Sequence, residues 1–301
     1  MASGLRQLVL GISLLVASAT LISSSAGAST ASVSIVQVPV QVAHTSDGNV
    51  GYRILGHGSP LLLITGFSAS MDNWAPDFVN TLAAKHRVVI FDNAGVGRTA
   101  ALPSPLTITA MATQTSALIS TLKLGRTAVL GWSMGGMVAQ GLAVRHPSQV
   151  SRLILAATQA GNGKAVPPPV AAAATLNSGN PLEVLSTLFP ADQKVAEGMY
   201  AKAILTYPNF YLAPATAQAT QNQAIDQWFA GKDPAGVAAA RLHLPTLVAD
   251  GEVDALDPVS NDHQLAHLIR GAHLVLYPDA GHAFLFQEAG FAATVDRFLN
   301  A

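Results

Sequence analysis

The stretch Ala128-Val129-Leu130-Gly131-Trp132-Ser133-Met134-Gly135-Gly136 decides the reading of this chain. Three apolar residues run into a glycine-flanked serine. From Met134 to His146 the pattern turns helical, and Pro147 ends it. A serine between Gly131 and Gly135, where a strand passes into a helix, sits on a tight turn. The glycines leave room for a strained backbone and for neighbouring elements, and the hydroxyl projects above the edge of the sheet. With 25 glycines in 301 residues the pattern alone is weak. The strand before it and the helix after it are what give it weight. A serine that merely caps the helix is the plain alternative.

Outward from this turn, Leu61 to Thr65, Val88 to Phe91 and Leu153 to Ala156 are further apolar runs. Like Ala128 to Leu130, they are too short for helices and too apolar for half-exposed strands, which is how parallel strands covered on both faces read. Between them Asp72 to Lys85 and Ile108 to Leu124 read as helices. Upstream, Ser34 to Val40 reads as extended, Asp47-Gly48 as a hairpin turn and Val50 to Leu55 as the returning strand. Downstream, strands resume at Pro245 to Asp250 and His273 to Tyr277, and a helix over Phe284 to Leu299 closes the chain. This alternation predicts an α/β fold with a mostly parallel twisted sheet flanked by helices.

The alternation breaks between Gly161 and Leu244. Pro167-Pro168-Pro169 opens that segment, and Asp192 to Ile204 and Thr216 to Ala230 look helical. Residues 161–244 are therefore expected to be a helical cap inserted in a core built from residues 29–160 and 245–301. Ahead of the core, no charged residue lies between Arg6 and Asp47, and Leu8 to Ile22 is mostly apolar. With Ala26-Gly27-Ala28 behind it, this reads as a secretory signal over residues 1–28, cleaved after Ala28, for a secreted or cell-envelope protein. The apolar run is shorter than the ~20 residues a spanning helix needs.

Composition removes several classes. Half of the residues are hydrophobic and 11% are charged, enough to bury a large core and unlike a disordered chain. Sixteen Lys and Arg against seventeen Asp and Glu leave no electrostatic footprint for nucleic acid or anionic lipid. The absence of cysteine removes disulfides, thiolate catalysis, iron–sulfur clusters and cysteine-based zinc sites.

A serine nucleophile needs a base, and the base needs an orienting carboxylate. After the strand Thr246–Ala249 comes Asp250-Gly251-Glu252-Val253-Asp254; after Leu274–Tyr277 comes Asp279-Ala280-Gly281-His282. Both groups, like Ser133, stand at carboxyl ends of predicted strands, the edge where open parallel sheets bind ligands. Asp250, Glu252, Asp257 and Asp262 compete for the acid's place. Asp254 is favoured by its position after the glycine and before Pro258.

Two other motifs suggest different chemistry. Gly95-Val96-Gly97-Arg98-Thr99-Ala100 fits a dinucleotide fingerprint, yet Pro103 and Pro105 disfavour the helix it must open, and no acid follows about 20 residues on. His263 and His267, with His273 nearby, have zinc spacing. Gln264 stands where a metalloprotease helix has Glu, so a solvated helix face is the expectation. Asp92 is expected to bond its own turn backbone, and Trp74 and Met137 to line a pocket or sit in the core.

The chain order Ser, Asp, His is that of α/β-hydrolases. From about Ile35 to Leu299 the chain resembles that superfamily, and within it the capped serine esterases and cofactor-free haloperoxidase-like enzymes. The resemblance rests on Leu63-Ile64-Thr65-Gly66-Phe67, on Phe91-Asp92-Asn93-Ala94-Gly95-Val96-Gly97-Arg98-Thr99, on the Ser133 turn and on the Asp254 and His282 loops. It implies an eight-stranded sheet. It also implies Ser133 as nucleophile, His282 as base and then acid, Asp254 as orienting acid, and the backbone N–H groups of Phe67 and Met134 as the oxyanion hole. Trp132, beside the nucleophile, is expected to touch substrate. Thr65 departs from the family's usual His before the glycine, which bears on how that loop is braced.

The implied activity is hydrolysis of a small, hydrophobic carboxylic ester, with no metal or organic cofactor. Perhydrolysis, peptide cleavage and carbon–carbon bond hydrolysis share the same three residues, and a ligand receptor with a relic site is the non-enzymatic rival. A peptidase would anchor a substrate amine on an acid, with Glu183, Asp192 and Glu197 as candidates. The leader makes one prediction. Expressed in a secreting host, the mature protein should begin at Ser29 by amino-terminal sequencing, and recovery of an intact Met1 terminus from the envelope would show a retained anchor.

Overall fold

The computed structural model describes residues 33–301; the expected leader over residues 1–28 lies outside them. The strands are β1 (Gln41–Thr45), β2 (Gly48–Leu55), β3 (Pro60–Ile64), β4 (Arg87–Phe91), β5 (Thr127–Trp132), β6 (Val150–Ala156), β7 (Thr246–Gly251) and β8 (His273–Tyr277). They form one sheet in the order β1-β2-β4-β3-β5-β6-β7-β8. β2 pairs antiparallel with both β1 and β4, and every other pairing is parallel. The fold is the expected α/β one, a mostly parallel eight-stranded sheet flanked by helices.

The helices of the core are α1 (Pro76–Ala83), α2 (Ile108–Thr121) and α3 (Met134–Arg145). Between β6 and β7 come α4 (Val170–Leu176), α5 (Pro181–Leu188), α6 (Lys194–Ile204), α7 (Ala215–Phe229) and α8 (Pro234–Val237). After β7 come α9 (Ser260–Leu268), α10 (Phe284–Gln287) and α11 (Phe291–Asn300). Residues 161–244 hold no strand, as the run of prolines and alanines suggested.

Successive strand residues serve opposite faces. Leu62, Ile64, Val89 and Phe91 pack with Ile108, Met111 and Leu118 of α2 and Val138 and Leu142 of α3. Leu61, Leu63, Val88 and Ile90 pack with Phe78 and Val79 of α1 and Phe291 and Val295 of α11. Two cores thus sandwich one sheet, which is why the central strands read as unbroken apolar runs.

Three expected elements differ. Ser34–Val40 is not a strand: Ile35–Gln37 forms a 3₁₀ turn. Ser34 N–H donates to Gln37 Oε1, and Ile35, fully buried, donates its N–H to Asn80 Oδ1 of α1. The helix expected over Asp72–Lys85 starts only at Pro76, which lacks an N–H and fits the first turn alone. A separate 3₁₀ turn, Met71–Asn73, precedes it. The closing helix is split, with Gly290, a poor helix former, at the break. At the hairpin, Thr45 pairs with Gly48, so Ser46 and Asp47 form the loop and Gly48 opens β2 at φ 97°.

The crowding that shapes the β5–α3 turn can be measured. A Cβ on Gly135 would overlap the Ile64 carbonyl, and one on Gly131 would overlap the Gly135 carbonyl. Gly135→Ala should therefore lower stability by about 3 kcal/mol in urea unfolding, with no change expected for Gly290→Ala beyond a few tenths, since a Cβ on Gly290 meets open space.

Candidate active site

Ser133 follows β5 and stands at φ 59°, ψ −126°, a conformation rare for a residue with a side chain. Its N–H donates to the Ala156 carbonyl at the end of β6 (2.9 Å), and its own carbonyl accepts from Gly136 (2.8 Å). The turn is held from both sides, and glycines at 131, 135 and 136 let β3, α3 and Thr158 close on it. Gly66 is likewise crowded: a Cβ there would stand 3.1 Å from Ser133 Cβ.

The other two expected residues meet. His282 Nδ1 lies 2.7 Å from Asp254 Oδ2, with the Asp254 side chain fully buried. Asp254 Oδ1 accepts the backbone N–H groups of Leu256 (2.6 Å) and Asp257 (3.0 Å). The carboxylate is thereby fixed, and the Nδ1–H tautomer leaves Nε2 as the free basic nitrogen. His282 and Ser133 line the same cavity. Burial, the largest single influence on His282, disfavours its charged form. The charge and hydrogen bond of Asp254, with Asp257 adding, together outweigh burial and hold its pKa above the usual 6.5.

None of the rival acids bonds to His282. Asp250, Asp257 and Asp262 are buried together, with one oxygen from each within 4.8 Å of the others. Burial is the main cause that pushes Asp257 up to about 7, Asp262 to about 9, and Asp250 well above the carboxylate range; the charge of Asp254 adds to all three, and that of Asp257 adds to Asp250 and Asp262. Asp254 differs in having backbone donors on one oxygen and the imidazole on the other. Glu252 is exposed.

The cavity measures about 780 Å³, within the range of small-molecule sites. Phe67, Met134 and Met137 line it from the core. Leu185, Ile204, Phe210, Ile225 and Phe229 line it from the segment between β6 and β7, so that segment covers the strand ends. Neither Phe67 N–H nor Met134 N–H donates to a protein acceptor among the described residues. Trp132 lines the cavity and its Nε1–H donates to the His282 carbonyl (2.9 Å).

Other expectations are corrected or placed. Trp74 is buried core and Met137 lines the cavity. Asp92 braces another loop rather than its own turn: Oδ1 accepts from Met71 N–H and Oδ2 from the Tyr211 hydroxyl, and burial lifts its pKa to about 7. Thr65 is buried, and its carbonyl accepts from Asn93 Nδ2 (2.9 Å), which supplies the bracing. The Gly95–Ala100 segment is followed by no helix before Ile108. Glu183 accepts from Asn180, Glu197 pairs with Lys194, and neither they nor Asp192 line the cavity; Asp226 lines it instead. The sequence carried no sign of Gln159, Gln218 and Asn222 in the cavity wall. Lone polar residues on amphipathic helices look alike until the helix is docked.

Comparison with known proteins agrees with this architecture. The alpha/beta hydrolase fold family matches residues 59–289. A poly(3-hydroxyalkanoate) depolymerase of Ectopseudomonas oleovorans is 28% identical over 249 residues, 79% of this chain and 83% of that one. A shorter match, 33% identical over 113 residues, spans 42% of the length of a relative from Azorhizobium caulinodans. Among solved structures, an alpha/beta hydrolase fold protein from Chitinophaga pinensis aligns with TM-score 0.77 at 25% identity, covering 88% of this chain and 98% of that one. The enol-lactonase of Burkholderia xenovorans LB400 aligns with TM-score 0.67 at 25% identity, covering 87% and 100%. With its sheet order, its turn at Ser133 and a family match over most of its length, the chain belongs to the α/β-hydrolase fold family.

Proposed function

We propose that the protein is an exported serine hydrolase that cleaves carboxylic esters with a hydrophobic acyl group through an acyl-enzyme. The observation that carries this reading is that His282, paired with buried Asp254, lines one apolar cavity together with Ser133. Two relatives whose names denote action on ester bonds, the depolymerase and the enol-lactonase, support it.

In this reading the Ser133 hydroxyl oxygen bonds to the acyl carbon while His282 Nε2 takes its proton. The carbonyl π electrons move to oxygen, and the resulting anion is met by the N–H groups of Phe67 and Met134, each donor worth about 2.7–4 kcal/mol. The tetrahedral adduct collapses, the carbon–oxygen bond to the alcohol breaks, and His282 returns the proton to the leaving oxygen. Water then bonds to the acyl carbon while His282 takes its proton, the carbon–Oγ bond to Ser133 breaks to release the acid, and His282 returns the proton to Ser133 Oγ. Asp254 keeps the proton on Nδ1 and steadies the imidazolium. Trp132 contributes an apolar wall for substrate and holds the His282 loop. The helices of residues 161–244 serve as the cap that sets acyl length. No metal or organic cofactor enters any step.

A p-nitrophenyl ester series of increasing acyl length, with Ser133→Ala beside wild type, tests the reading. We expect wild type to prefer acyl chains longer than acetate and Ser133→Ala to lose at least about 10³-fold in kcat. Equal, negligible turnover by both proteins on every ester would overturn it.

The pH dependence has a defined sign. Only neutral His282 can take the serine proton, so kcat/KM should rise with pH through an apparent pKa above 6.5. Asp254→Asn removes the larger of the influences that lift that value, leaving burial against the smaller push of Asp257. The inflection should move below 6.5, with kcat down about 10⁴-fold.

A further inference from the structure

The loop that carries the Phe67 N–H is held at two points by different parts of the chain. On one side the Thr65 carbonyl accepts from buried Asn93 of the core. On the other, Ser68 takes a left-handed backbone, φ 61°, unusual for a residue with a side chain. Both of its backbone polar groups bond to the segment between β6 and β7: Ser68 N–H donates to Gln221 Oε1 of α7 (2.9 Å), and Ser68 C=O accepts from Ala213 N–H (3.1 Å). Further along the loop, Ser70 Oγ donates to the Tyr211 carbonyl (2.7 Å), Tyr200 Oη donates to the Asn73 carbonyl (2.9 Å) and Tyr207 Oη to the Trp74 carbonyl (3.0 Å).

Gln221 is the one among these whose side chain meets the residue next to Phe67. It is fully buried, yet it does not line the cavity. Among the described residues its Nε2 has no hydrogen-bond partner, so the amide's hold on the loop runs through its acceptor oxygen. An amide burying an unpaired donor costs stability, and an apolar side chain of the same size would avoid that cost. The acceptor's use is to hold Ser68 N–H and, through it, a backbone conformation that serine does not favour by itself.

We propose that Gln221 is a positioning residue for the oxyanion site: by holding Ser68 left-handed from the helical segment above, it aims the Phe67 N–H at the developing oxyanion. The inference rests on the ester-hydrolase reading. It adds that the covering helices complete the site where charge develops, beyond shaping the space for the acyl chain. Because Gln221 does not line the cavity, its loss should act on the transition state and leave ground-state binding alone.

Three variants of the full-length protein test this: Gln221→Met, which keeps length and loses the acceptor; Gln221→Glu, which keeps an acceptor and exchanges the unpartnered donor for a second, ionisable carboxyl oxygen; and Gln221→Asn, which withdraws the acceptor by one methylene. We expect kcat on the best p-nitrophenyl ester to fall about tenfold for Met and Asn with KM unchanged, and Glu to recover most of it. Affinity for a trifluoromethyl ketone, which presents an oxyanion to the site, should fall in step with kcat. Hydrogen exchange over residues 66–74 should quicken in Met and Asn and stay slow in Glu. If Met or Asn fails to fold, the other still stands against Glu; if Glu fails, kcat and hydrogen exchange of Met and Asn against wild type decide.

Equal kcat in wild type and Gln221→Met, or equal losses in Met and Glu, would overturn the proposal, as would a rise in KM with kcat unchanged. The ester-hydrolase reading fails separately, when wild type and Ser133→Ala are equally inert. Hydrogen exchange then decides whether Gln221 holds the loop: unchanged rates in Gln221→Met overturn the holding itself.

Discussion

One crowded turn governs the rest of this molecule. For Ser133 to stand at φ 59° between β5 and α3, the Ile64 carbonyl must press against Gly135 and the Gly135 carbonyl against Gly131. A strained residue persists only where its surroundings over-determine it. Here the surroundings are the two strands that flank β5 in the sheet. β6 fixes the Ser133 N–H through Ala156, and β3 delivers Gly66 against the Ser133 side chain. The same parallel order that brings β3 and β6 to either side of β5 carries β7 and β8 onward, so that their carboxyl ends bring Asp254 and His282 to the same edge. The geometry of the site is thus a consequence of sheet order, and the sheet itself is held by helices that cover both of its faces.

The electrostatics around His282 follow from a difference in solvation among neighbouring carboxyls. Four aspartates lie between residues 250 and 262. Burial raises Asp250, Asp257 and Asp262, whose oxygens find few donors. Asp254 is supplied with two backbone N–H groups and the imidazole. What sets apart the group next to His282 is therefore its donors, two backbone N–H groups on one oxygen and the imidazole on the other.

Much of this was legible in the residues because the signals are local. The strands around Leu62, Val89, Val129 and Ile154 are apolar runs too short for helices, which suit a doubly covered sheet, and the Ser133 turn needs glycines at fixed offsets. The breaks were less legible. Ser34–Val40 is rich in β-branched residues, yet Ser34, Gln37 and Asn80 offer it local and tertiary hydrogen bonds that an extended strand does not have. Propensity there gave way to a contact with α1, which the sequence does not display. The acid was legible as a cluster, while the choice of Asp254 depended on which oxygen meets which N–H. The roles of Asp92, Asn93 and Gln221 lay out of reach for the same reason: each holds a loop far away in sequence, so its meaning exists only after docking.

Trp132 joins two parts of the site by a route of its own. It precedes Ser133 on a strand that is buried throughout, and its indole N–H grips the carbonyl of His282 itself, 150 residues along the chain. A single such bond contributes about 1 kcal/mol net, and the edge-on packing of the indole against Phe286 reinforces it. The loop bearing the imidazole is in effect spliced to the strand that leads into the serine. A guest molecule resting on the indole therefore touches a side chain that ties the two loops together.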